Sequence, residues 1–261
     1  MSSLPSFSRS TLCFAFTLAV LPILTLPASA QGWRWPETSQ NLQVLSPDTD
    51  AETLSATMRF FVRSLGVRCT HCHVGTEGQP LSTFDFASDD RPAKEQARIM
   101  MRMVQSINAD HLPAAAALYT DNAAPLRVTC RTCHRGVARP EPLASVLKTT
   151  LANDGVQALR ATYDELRTAY YGSDAYDFSE RSLDAFGQEL LAAKQQTEAL
   201  AVFILNTEQY PMSASAFARL ASAYETTGDR VRAEAFYLQA ITLAPTSTRL
   251  VQRLEALRAE Q

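Results

Sequence analysis

From residue 150 to the C-terminus the chain has no cysteine and no histidine. That stretch therefore lacks the thiolate and imidazole groups that commonly bind transition metals and haem. The protein also lacks a charge excess of either sign. Its formal net charge of −3 over 261 residues argues against a global basic field for nucleic acid. It lacks a second long apolar run, so no segment after the first thirty residues is long enough to span a bilayer. No βαβ pattern surrounds its Cys-x-x-Cys pairs, which argues against a thioredoxin-like dithiol. Cysteine itself is scarce, at five residues.

Residues 1–30 read as a secretory signal peptide. One charge, Arg9, precedes the apolar run LCFAFTLAVLPILTL, and Ala28-Ser29-Ala30 supplies the small-residue cleavage pattern. Pro22 and Pro27 interrupt the run, which is short for a membrane anchor. Cleavage after Ala30 removes Arg9 and takes the charge from −3 to −4. An exported or periplasmic protein is the expectation. Disulfides form in such compartments.

Cys13 falls in that leader, and the four remaining cysteines form two motifs. CTHCH covers 69–73 and CRTCH covers 130–134. Both read C-x-x-C-H, the pattern for covalent attachment of c-type haem. Two thioethers must meet two vinyl groups on one porphyrin edge, and one turn of chain between the cysteines allows that. Cys69 and Cys72 would carry one haem, Cys130 and Cys133 the other. His73 and His134 would then lie under the iron as proximal ligands. A zinc ribbon also uses two C-x-x-C pairs, but it has no need of a histidine after each. His71, inside the first motif, reads as a solvated spacer.

The sixth iron position decides between chemistry and electron transfer, since an open site admits oxygen or peroxide and a filled one favours a carrier. DAETLSATMRFFVRSLGV reads as an amphipathic helix, capped by Thr49 or Asp50 and stopped by Gly66. Its apolar face carries Met58, Phe61, Val62 and Leu65. RPAKEQARIMMRMVQSIN reads the same way, with Pro92 in its first turn and Met100, Met103, Val104 and Ile107 on one face. Aligned, the two helices set Met58 against Met100 as candidate distal ligands. Met58 lies 11 positions before Cys69, and Met100 lies 30 before Cys130. Methionine on a helix face is ordinarily core filler, but the duplicated context favours ligation. Met103 and His111 are rivals for the second iron, while Met101 leaves the apolar face.

NLQVLSPDT, MRFFVRSLGVRCTHCHVG, ARIMMRMVQSIN and VTCRTCHRG together resemble the cytochrome c subunit of photosynthetic reaction centres and its short dihaem relatives, over roughly residues 41–143. The resemblance implies that a Met on the helix before each motif is the distal ligand and the motif His the proximal one. That pairs Met58 with His73 and Met100 with His134. The reaction-centre subunit holds four haems and this chain has two motifs. His111 also falls too early to match the family's additional histidine ligand. The resemblance thus implies a haem fold and electron transfer rather than a full reaction-centre subunit. It implies a protein redox partner, a membrane-associated photosynthetic or respiratory complex, and no small-molecule substrate.

Arg127, Arg131, Arg135 and Arg139 surround the second motif. They are suited to haem propionates, to an acidic partner, or to plain solvation. ARPEPL, 138–143, reads as a rigid exit linker. Beyond it one unit fits the tetratricopeptide pattern: Phe217, Leu220, Ala221, Tyr224, Gly228, Ala233, Tyr237, Ala240 and Pro245. Moving back 34 positions gives Leu183, Phe186, Gly187, Leu190, Ala199, Phe203, Asn206 and Pro211. GVQALRATYDELRTAYYG resembles a degenerate earlier unit, and RLVQRLEALRAE a polar capping helix. Such repeats usually bind a polypeptide.

The expectation is an all-α chain: signal peptide 1–30, dihaem cytochrome c domain 31–148, and tetratricopeptide-like helical repeats 149–261. It is a non-enzymatic electron carrier with two covalent haems. The competing classes are a repeat adaptor with structural or sensory haems, and a haem peroxidase with one open iron.

Overall fold

The structure, a computed structural model, describes residues 33–118 and 126–259. The expected signal peptide lies outside the described residues. Among those residues the regular structure is helical. The only β pairing there is one isolated antiparallel bridge, Val74 to Asp85. The all-α class expected from the sequence holds.

Helix α1 spans Ala51–Leu65. The Asp50 carboxylate caps it, accepting from Thr53 N at 2.8 Å and Thr53 Oγ1 at 2.7 Å. These bonds hold the Asp50 carboxyl below its ordinary range, the Thr53 N–H first. Gly66 ends the helix in the left-handed region, φ 65°, returning its N–H to Val62 O. The chain then enters a 3₁₀ turn over Cys69–His71.

Helix α2, Pro92–Ser106, starts on its proline. It runs through a π-helical turn, Ile107–His111, into the short α3, Leu112–Ala116. The second motif is itself a helix, α4, Cys130–His134. Thr129 and Thr132 form a reciprocal capping box at its start, so the third residue of the CRTCH motif caps the motif's own helix.

Helices α5 (Leu143–Asp154) and α6 (Val156–Tyr170) open a helical array. It continues as α7 (Glu180–Ala192), α8 (Gln196–Gln209), α9 (Ala214–Thr226), α10 (Arg230–Leu243) and α11 (Thr248–Ala259). The starts of α7 and α8, at 180 and 196, recur at 214 and 230 for α9 and α10, and α11 starts at 248. Each step is 34 residues, the period read from the sequence. The small and large residues singled out by that period are buried as pairs: Leu183 with Phe217, Leu190 with Tyr224, Ala199 with Ala233, Phe203 with Tyr237. Gly187 lets α7 approach α8, since a Cβ there would fall 2.6 Å from the Phe203 ring. No helix among the described residues is long and apolar enough to cross a membrane.

The cores divide unevenly. Both clusters of buried hydrophobic residues begin at Leu143 or later. Leu143 and Leu147 join that core from α5, a helix that runs through position 148. Between 33 and 142, Leu54 and Val137 are the only buried hydrophobic side chains among the described residues.

Candidate haem sites

The first motif closes on itself by backbone bonds. Cys72 N and His73 N both donate to Cys69 O, at 3.2 and 2.9 Å. This single turn puts Cys69, Cys72 and His73 on one small patch. Both thiols are half-buried, and burial pushes the Cys72 thiol up, with Cys69 adding to it and Lys94 opposing. The His73 ring meets the Phe86 ring edge-on at 5.0 Å, and Phe86 stacks on Phe84 at 5.6 Å. His73 Nδ1 is buried without a geometrically complete hydrogen bond. Burial, then the Lys94 charge, hold the ring's pKa below its ordinary value, while the nearby Phe86 backbone pulls the other way.

A polar network fixes the loop that carries Phe86. Lys94 Nζ donates to the carbonyls of Phe86, Ala87 and Ser88, at 3.0, 2.9 and 2.7 Å. Arg98, 6% exposed, pairs with Asp89 at 2.9 Å and Glu95 at 3.0 Å and donates to Asn41 O. Asn41 Nδ2 reaches Ala87 O and Asp89. The Arg98 guanidinium, then Asn41 and Lys94, hold the Asp89 carboxyl well below the usual carboxylate range.

Because the folded-state pKa of Asp89 is depressed, its contribution to stability is complete above the unfolded value of about 3.9. It is lost as pH falls below that value toward the folded one. Thermal unfolding of the wild type and Asp89→Asn should therefore differ by a constant amount from pH 7 to about 5. The gap should narrow below about pH 4, where the unfolded carboxyl protonates. A gap independent of pH down to about 3 would contradict the ionic role.

The second motif is presented on α4. Cys130 is half-buried, Cys133 exposed and His134 buried. Burial raises the Cys130 thiol. His134 Nδ1 lies 3.0 Å from Val137 O. A carbonyl only accepts, so Nδ1 carries the hydrogen, and in the neutral ring Nε2 keeps its lone pair. This is the arrangement of a metal-ligating histidine oriented by a backbone carbonyl.

The two motifs meet through backbone. α1 packs on α4, Gly136 N donates to Ser64 O at 2.9 Å, and Gly66 lies directly against the Gly136 carbonyl.

Met58 sits half-buried on α1, and Met100 and Met103 are exposed on α2, outside the two motif turns. α2 carries two stripes. Ala97, Arg98, Met101 and Val104 face protein, while Ile99, Met100 and Met103 are 56%, 37% and 42% exposed. Met101 is thus off the Met100–Met103 stripe, but Val104, expected on one face with those two methionines, lies instead with Met101 on the protein-facing side. His111 is exposed at the end of the π turn. Among the described residues, no three His, Cys, Asp or Glu side chains converge in a way that would hold a metal ion. The four cysteines therefore do not form one thiolate cluster of the zinc-ribbon kind.

These features fit haem. The thiols come in two one-turn pairs, a histidine follows each, and the His134 ring is oriented through Nδ1 by the Val137 carbonyl. Apolar methionine-bearing faces stand where little protein core exists.

Residues 36–151 match the family model of the photosynthetic reaction centre cytochrome C subunit. A curated relative, cytochrome c-554 of Chloroflexus aurantiacus, is 32% identical over 111 residues, 41% of this chain and 23% of that protein. The chain thus spans less than a quarter of that relative's length. The similarity is to c-type cytochromes.

Sequence reasoning missed Lys94, Arg98, Asp89 and Asn41, which brace the loop beside His73. Lysine and arginine on an amphipathic helix read as solvated, and only their distant partners distinguish them. Of the four arginines around the second motif, Arg135 donates to Asp174 O at 3.3 Å and Arg139 pairs with Glu141. Arg127 and Arg131 are exposed.

Proposed function

We propose that the protein is an exported electron carrier with two covalently attached haems. Cys69 and Cys72 would hold the first, with His73 and Met58 as the residues offered to its iron. Cys130 and Cys133 would hold the second, with His134 and Met100 offered to its iron. The observation that carries this reading is the repeated one-turn Cys-x-x-Cys-His patch, with His134 Nδ1 engaged by Val137 O. The similarity of residues 36–151 to reaction-centre cytochromes supports it.

Bound haem supplies a one-electron ferric/ferrous couple. The chain's own part is to hold it rigidly. The motif turns fix the thioether positions, and Val137 O orients one imidazole. The Lys94 and Arg98 network locks the loop beside the other. A Met on each iron would leave no open position, and in this reading we assign no catalytic residue.

The partner in this reading is a membrane-associated redox protein, photosynthetic or respiratory. The tetratricopeptide-like array from α5 onward offers a surface for a polypeptide. The haem domain is 31–148 and the repeat domain 149–261 in this reading, with α5, Leu143–Asp154, running across the division. In this reading the leader is cleaved near Ala30.

The test is a redox titration of the haem-matured protein with carbon monoxide added to the reduced form. Two reversible one-electron steps and no carbon monoxide binding are expected. Carbon monoxide at both irons would transfer the reading to a haem enzyme. Haems that do not titrate reversibly would leave an adaptor with structural haems.

A further inference from the structure

Asn108 sits in the π-helical turn Ile107–His111, where Leu112 N reaches back five residues to Ile107 O. Such turns inside α-helices occur frequently at functional sites. The Asn108 amide uses both of its ends. Nδ2 donates to Val104 O at 2.9 Å and to Val128 O at 2.8 Å, and Oδ1 accepts from Val128 N at 2.8 Å. The side chain thus pairs with the Val128 backbone as a neighbouring strand would, through two bonds to one residue.

Val128 is two positions before Cys130. Between them stands Thr129, the extended N-cap of α4, locked to Thr132 by the capping box. A chain of short bonds therefore runs from the end of α2, through Asn108 and Val128, into the helix that carries Cys130, Cys133 and His134. It bridges 20 residues of sequence, part of which, 119–125, lies outside the described residues.

We infer that Asn108 is a positioning residue for the second haem site, setting the register between the Met100 stripe of α2 and the CRTCH helix. The inference rests on the haem reading given above. Its chemistry is specific to asparagine. Aspartate has the same shape but no donor, so it would set a carboxylate against the Val104 and Val128 carbonyls. Glutamine carries the amide one methylene further out. Because Val128 is the backbone immediately ahead of a capped helix, loosening it displaces all three motif side chains together. The thioether bonds can form on a displaced motif, since the two cysteines move as a unit. Axial thioether ligation requires α2 and α4 at a fixed separation. Asn108 therefore acts on ligation rather than on attachment.

The test uses the full chain matured with haem, as wild type, Asn108→Asp and Asn108→Ala. Asn108→Asp preserves volume, so a packing role would leave it like wild type. Intact mass should show two haem additions in all three proteins. The Met-to-iron charge-transfer band should fall by half in both variants, and the reduced variants should bind carbon monoxide at one iron. Adding Met100→Ala to Asn108→Asp should change the spectrum no further, whereas adding Met58→Ala should abolish the band. A full-strength band in Asn108→Asp would overturn the positioning role while leaving the haem reading intact. A wild type with two haems and no such band would overturn Met ligation, and this inference with it.

Discussion

Gly66→Ala should separate the two haem motifs and destabilise the protein far more than an alanine at another glycine of the same backbone geometry. Two penalties coincide at Gly66. Its φ of 65° lies in the left-handed region, where an L-residue costs about 1–2 kcal/mol. Its new Cβ would also overlap the Gly136 carbonyl oxygen. That neighbour is backbone, two positions after His134, and is tied to Ser64 O by its N–H. It has no side-chain rotamer by which to yield. Forcing such a contact apart adds about 1–3 kcal/mol, by analogy with overpacked cores.

Gly78 separates the two penalties. Its φ is 82°, and nothing lies within 4 Å of where an alanine methyl would stand. Gly78→Ala should therefore lose only the conformational part, about 1–2 kcal/mol, while Gly66→Ala should lose about 2–5 kcal/mol. Denaturant unfolding followed in parallel by helix signal and haem absorbance measures both. Equal losses in the two variants would mean that the Gly66–Gly136 approach does not matter in solution.

Met58→Ala should open the first haem, lower its potential and leave the second nearly untouched, and Met100→Ala should do the converse. A thioether ligand raises the potential relative to a bis-histidine site and keeps the iron low-spin. The Met-to-iron charge-transfer band should halve in each variant and vanish in the double variant. Met101→Ala should change little, because that side chain lies off the exposed Ile99, Met100 and Met103 stripe. Met103 shares the stripe with Met100 and is comparably exposed. If Met103→Ala or His111→Ala, and not Met100→Ala, perturbs the second haem, the second distal ligand is reassigned to that residue.

What the sequence made legible was local chemistry. The cap, read as Thr49 or Asp50 and found at Asp50, the Gly66 stop and the Pro92 start each depend on residues within one turn. The 34-residue spacing of the array was legible because small and large residues recur at that spacing and are buried at both positions. Contacts between distant segments were hidden. Asn108 at a helix end reads as an ordinary terminus residue until Val128 appears beside it. Gly66 reads as a helix stop, a sufficient reason for glycine, which conceals the second reason supplied by Gly136, 70 positions away. Lys94 reads as a solvated base, yet its ammonium gathers three carbonyls. Pro140 and Pro142 marked the exit from the haem segment. The nominal boundary at 148/149 nonetheless fell within α5, because Leu143 and Leu147 belong to the array's core.

The central claim is that this chain carries two haems through thioether bonds. Intact mass of the mature protein, taken after acid and organic extraction, tests it most directly. The expected mass is that of the chain cleaved near Ala30 plus two haems, with Cys69→Ser/Cys72→Ser and Cys130→Ser/Cys133→Ser each losing one. A mass equal to the bare polypeptide, or haem that leaves with the solvent, would contradict the account.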